Sequence, residues 1–118
     1  MGSIVKEGQL FKLPTWSQGP AIKLEKQFKL RYFCLAREDG DSRFFYYTTE
    51  KAYRSGEAPS GSIDTTVVLF ERVNKLDFVL TNEKKRLWCR AFSEQIANSW
   101  EEAILSVGGR VVVEDNAE

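Results

Sequence analysis

Between Lys6 and Phe92 the chain never sustains a helical period. Short runs rich in β-branched and aromatic residues are instead broken by turn signals, and that pattern restricts it to a mainly β fold. Strands are expected at residues 6–13, 28–36, 43–49, 61–66, 67–72, 76–81 and 86–92. The breaks between them fall at 14–20, 38–41, 55–61, 73–75 and 82–85, where Pro, Gly, Asp and Asn gather. From Ser93 the period changes: Ile96, Ala97, Trp100, Ala103, Ile104 and Val107 follow three-and-four spacing. Ser93 is placed to cap the helix, Glu94 favours its positive end, and Gly108-Gly109 stops it. The expected architecture is a barrel of seven antiparallel strands in two near-orthogonal sheets, capped by one C-terminal amphipathic helix. With 118 residues, there is material for one such domain.

Several chemistries are removed by what the chain lacks. Histidine is absent and cysteine occurs twice, so the usual zinc donor sets are missing and neither Ser–His nor Cys–His activation of a nucleophile is available. Cys34 and Cys89 each sit in an apolar run and read as buried, reduced thiols, which fits the cytosol. Glu38-Asp39-Gly40-Asp41 reads as a solvated hairpin tip rather than an acid–base pair, and no glycine-rich nucleotide loop joins a strand to a helix. The chain is expected to be no enzyme and to hold no metal or cofactor. Its seventeen basic residues balance seventeen acidic ones, which speaks against nucleic acid as a partner. The balance is uneven along the chain, with a net +4 over residues 1–31 and −5 over residues 91–118.

That polarity locates the candidate site. If the first two strands form a hairpin, Lys12 comes close to Lys29 and Arg31. Because strand side chains alternate, Lys29, Arg31, Phe33 and Leu35 share one inward line, cations at the mouth and apolar residues deeper. The third strand runs back to the same mouth and brings Tyr46 or Tyr47, with Lys51 and Arg54 in the following loop and Lys23 and Lys26 in the first. Such a cluster suits a compact, multiply phosphorylated anion. The competing reading is a solvated basic edge that keeps the sheet from aggregating.

The same segments resemble a pleckstrin homology domain over residues 4–107. Residues 6–13 are similar to the family's opening Gly-x-Leu-x-Lys, and residues 28–35 to its second strand, in which a basic residue, any residue and Arg are followed by aromatics. Phe44 to Tyr47 and Gly61-Ser62-Ile63 resemble the third and fourth strands, and Trp100 aligns with the family's helical Trp. The resemblance implies a phosphoinositide-binding, membrane-targeting module of a larger signalling or trafficking protein, cytoplasmic and recruited to membranes, with Lys12, Lys29, Arg31 and Tyr46 as ligand contacts. Where many binders carry Arg before the fourth-strand Gly, this chain has Ser60; Arg54 is the substitute if an insertion displaces the alignment. Trp16, in the long first loop, either seats in the membrane interface or folds back on the barrel wall. The family layout implies that Lys84-Lys85-Arg86 can extend the basic mouth, but a charged hairpin tip is the ordinary case and the segment is given little functional weight. The alternative function is a protein-interaction module of the same fold with weak or no lipid binding. Residues 1–3 read as a cloning remnant, residues 108–118 as an acidic tail or linker, and the isolated domain as a monomer.

Overall fold

Two residues with positive φ, Asp39 at 52° and Gly40 at 89°, make the tight reversal between the two strands that carry most of the site. These strands are β2 (Lys29–Glu38) and β3 (Asp41–Tyr47), and β1 (Ser3–Leu13) lies antiparallel on the other side of β2. The computed structural model describes residues 2–13, 28–65 and 68–111. After β3, Thr49 leaves the strand to cap a five-residue helix, α1 (Glu50–Arg54), its hydroxyl accepting from the Ala52 N–H at 3.0 Å. Then follow β4 (Gly61–Asp64), β5 (Leu69–Arg72), β6 (Asp77–Thr81), β7 (Arg86–Arg90), α2 (Glu94–Ser106) and β8 (Arg110–Val111). Ser93 caps α2 as its sequence predicts, accepting from the Ile96 N–H at 3.1 Å.

The strands form one hydrogen-bonded sheet in the order β4-β3-β2-β1-β7-β6-β5-β8. Its two four-stranded halves are joined where Phe11, Lys12 and Leu13 pair with Arg90, Cys89 and Trp88. The expected pair of sheets is thus a single sheet that does not close, with β1 shared between its halves. Among the described residues there are eight strands where seven are expected. The added strand, β8, exists because the chain reverses after α2: Gly109 N–H reaches back to the Ile104 carbonyl at 3.0 Å, and Arg110 N–H then meets the Val68 carbonyl at 2.9 Å. Val111, read in sequence as part of an unpartnered tail, pairs with Phe70. A two-residue strand has no period for sequence reasoning to detect.

Phe33, Leu35, Phe44, Phe70, Phe78, Leu80 and Cys89 form the main core, and α2 closes it with Ala97, Trp100 and Ile104. A smaller cluster, Tyr32, Cys34, Tyr47 and Ala52, lies on the other face of β2 and β3 under α1. Burial on both faces explains why Tyr32-Phe33-Cys34-Leu35 reads as an unbroken apolar run. Both cysteines are free and buried, one in each cluster. Burial pushes the Cys34 thiol up to about 11 and the Cys89 thiol up as well, so neither is a ready nucleophile.

One buried charge ties β6 to β7. Asp77, 1% exposed, accepts from Arg90 Nε at 2.6 Å, Arg90 Nη2 at 3.1 Å and Trp88 Nε1 at 3.2 Å. Replacing it by alanine strands a half-buried guanidinium and an indole N–H. Asp77→Ala is expected to lower the unfolding free energy by about 2 kcal/mol, read as a reduced urea midpoint at unchanged slope.

Candidate anion-binding site

β1 and β2 place like charges opposite one another. Lys12 is the register partner of Lys29, an arrangement that weakens a strand pair unless an anion answers it. Arg31 stands two residues further along β2 on the same face, and Tyr46 of β3 pairs with Phe33, its ring centroid 5.3 Å away. Tyr46 is also opposite Gly61, where a Cβ would lie 2.5 Å from its hydroxyl oxygen and 2.7 Å from Cζ. Only glycine leaves room for the ring to lie across β4 there, with the Lys12 ammonium 5.3 Å from the ring centroid. The Ser60 N–H, donating to the Tyr46 carbonyl at 2.7 Å, fixes the loop entering β4.

The result is a hollow of about 220 Å³ lined by Lys12, Lys29, Arg31, Tyr46, Thr48 and Ser60. Lys12 and Tyr46 also border a smaller recess of about 60 Å³, whose other walls include Ser62, Lys85 and Arg86. Lys85 is held there by its ammonium, which donates to the Ser62 carbonyl at 2.6 Å. Among the described residues, five cations therefore surround the two spaces and no carboxylate lines either. Among the described residues, none of these five forms an ion pair. Arg31 donates only to the carbonyl of its neighbour Leu30, at 2.8 Å.

The electrostatics record the crowding. Burial, together with the charges of Arg31 and Lys85, holds the Lys12 ammonium below the usual lysine range. Burial likewise raises the Tyr46 hydroxyl, against the pull of Arg31, so it remains a donor at neutral pH. A bound polyanion reverses the Lys12 effect by favouring its charged form. Polyanion affinity is therefore expected to be complete below the depressed Lys12 pKa and to fall as pH rises through it, before an ordinary lysine would titrate. A Lys12→Gln protein should lack that early limb in titrations from neutral to alkaline pH.

Of the residues singled out in sequence, Lys12, Lys29, Arg31 and Tyr46 come together. Tyr47 does not, being buried in the cluster under α1. Arg54 does not either, and here the sequence expectation is corrected. It sits on α1, on the opposite face of β2 from Arg31, where it pairs with Glu50 at 3.1 Å and Glu7 at 3.6 Å and donates to the Tyr32 hydroxyl at 3.3 Å. Its charge is answered locally by groups that the main-chain path of α1 brings to it. Lys51, on the same helix, lines neither space. Lys23, Lys26 and Trp16 lie outside the described residues. Sequence reasoning missed Thr48 and gave Lys85 and Arg86 little weight. The alternation of β3 could have found Thr48, two positions beyond Tyr46, whereas Lys85 and Arg86 reach the site only through the curl of the sheet.

No family profile matches this sequence, and no curated protein sequence matches it. Solved structures do match. The crystal structure of the C-terminal PH domain of pleckstrin in complex with D-myo-Ins(1,2,3,4,5)P5 is 23% identical, with a TM-score of 0.66 over 90% of this chain and 99% of that one. The solution structure of the C-terminal PH domain of human pleckstrin is 22% identical, with a TM-score of 0.66 over 98% and 87%. The PH domain of human oxysterol binding protein-related protein 11 is 15% identical, with a TM-score of 0.65 over 91% and 79%. At these identities the likeness concerns the fold.

Proposed function

We propose that this chain, which has the pleckstrin homology fold, is a non-catalytic module that binds the phosphorylated headgroup of a phosphoinositide and so brings a larger protein to a cytoplasmic membrane surface. One observation carries the reading: Lys12, Lys29, Arg31, Lys85 and Arg86 converge on adjoining hollows that, among the described residues, no carboxylate lines. Several charge-assisted bonds from different directions let such a site compete with water for a compact polyanion. A membrane's negative surface adds about 1 kcal/mol per nearby cation. The inositol pentaphosphate held by the pleckstrin domain, a structure of the same fold, supports the ligand class. The module, expected over residues 4–107, is read as taking in β8 at Arg110–Val111 as well. No helix among the described residues is long and apolar enough to cross a membrane, so on this reading attachment is peripheral.

The test is calorimetric titration with a panel of soluble inositol phosphates, followed by pelleting with vesicles that contain or lack phosphoinositides. Saturable binding to the soluble headgroups and phosphoinositide-dependent pelleting are expected. Pelleting that depends only on total anionic lipid, with no heat from any soluble headgroup, would overturn the reading.

A further inference from the structure

A second concavity lies on the reverse side of the same strands and has the opposite sign. It is an open groove of about 610 Å³ on the outer face of β2, β3 and β4. Its floor is Ala36, Phe45 and Tyr47, with the Phe45 and Tyr47 rings edge to face at 5.8 Å, and Pro59 forms one wall. Around this apolar floor stand Glu38, Asp39 and Asp41 from the β2–β3 turn and Asp64 from β4, against Arg43 as the one cation among the described lining residues. The lining thus has a net formal charge of −3.

Three observations narrow what such a groove would take. Among the described residues no group of three or more carboxylates or thiols is placed to hold a metal ion, so the negative charge suits a dispersed cationic partner rather than a single ion. The free edge of β4 is not open to an added strand: Lys85 donates to the Ser62 carbonyl at 2.6 Å and Asn82 to the Asp64 carbonyl at 3.5 Å. A partner would therefore engage by its side chains. The half-exposed Phe45 between these carboxylates calls for an apolar side chain flanked by cations.

We propose that this groove docks a basic segment of a partner protein, with one apolar or aromatic side chain over Phe45 and flanking Lys or Arg residues against Glu38 and Asp41. Arg31 and Glu38 are seven residues apart on β2, roughly 23 Å, and lie on opposite faces of the strand, so an anion at Arg31 and a segment against Glu38 do not collide. A module built this way holds an anionic surface at one end and a cationic protein segment at the other.

The probe is a short fluorescent peptide with one tryptophan between pairs of arginines, beside a twin carrying glutamates in their place. Anisotropy should show saturable binding of the basic peptide alone, and amide shifts should centre on Ala36, Arg43 and Phe45. The double variant Glu38→Gln, Asp41→Asn alters only the exposed turn and should weaken binding roughly five- to ten-fold. Arg31→Ala should bind the peptide as the wild type does, which separates this claim from the proposed polyanion site. Equal binding of the twin, shifts confined to α2 or the cationic hollow, or concentration-dependent self-association without peptide binding would overturn it.

Discussion

Trp100→Ala is expected to remove about 3–5 kcal/mol of stability, a large share of the roughly 5–15 kcal/mol that holds a domain of this size folded. Trp100 is 1% exposed, the largest fully buried side chain among the described residues, and meets Phe44 edge to face at 5.4 Å. It stands at the centre of the α2 stripe that includes Ala97 and Ile104. Truncation removes its transfer free energy and leaves a cavity between α2 and the sheet. That cavity cannot collapse readily, because the sheet halves around it are tied together through β1. The Lys6 ammonium, 5.1 Å from the ring, loses its cation–π partner as well. Guanidinium unfolding of Trp100→Ala and Trp100→Phe checks this, since the phenylalanine should restore more than half of the loss. A Trp100→Ala cost below about 1 kcal/mol would mean that α2 is not what closes the core.

Arg31→Ala is expected to lower affinity for a soluble inositol polyphosphate about 10- to 100-fold while leaving the fold intact, as the loss of charge-assisted bonds worth about 1.5–3 kcal/mol implies. Among the described residues no carboxylate pairs with Arg31, so the substitution strands no internal partner and relieves repulsion with Lys12. Its thermal midpoint should be unchanged or slightly higher. Lys12→Ala should act in the same direction, and Arg31→Lys should recover only part of the loss, because an ammonium cannot present the guanidinium fork. Arg54→Ala supplies the contrast: its charge is taken up by Glu50 and Glu7 on the far face, so polyanion affinity should hold. Titrations at fixed ionic strength decide it, since all exposed ion pairing weakens with salt. Equal affinities for wild type and Arg31→Ala, or a larger loss in Arg54→Ala, would place the anion elsewhere.

The contrast between Arg31 and Arg54 shows where sequence reasoning is strong. Alternation along β2 put Lys29 and Arg31 on one face with Phe33 and Leu35, a relation that needs only the strand itself. Arg54 was assigned to the mouth because the residues after β3 were read as a loop. Thr49 and Glu50 carry the start signal of a helix, but one turn is too short to show a period. Once wound, α1 packs Ala52 against Tyr32 and Tyr47 and takes Arg54 to the outer face.

What the residues determined alone is therefore local: a succession of short strands, the face on which each side chain lies, and a capped helix with Trp100 on its buried stripe. These follow from backbone periodicity and capping, which act within a few residues. Tertiary structure decided the rest. It joined the halves through Phe11 to Leu13, added β8, carried Lys85 and Arg86 to the hollow of Lys12, and set an acidic groove behind a cationic one. Such meetings depend on how a twisted sheet curls and pairs across long separations, and no short stretch of sequence encodes that by itself.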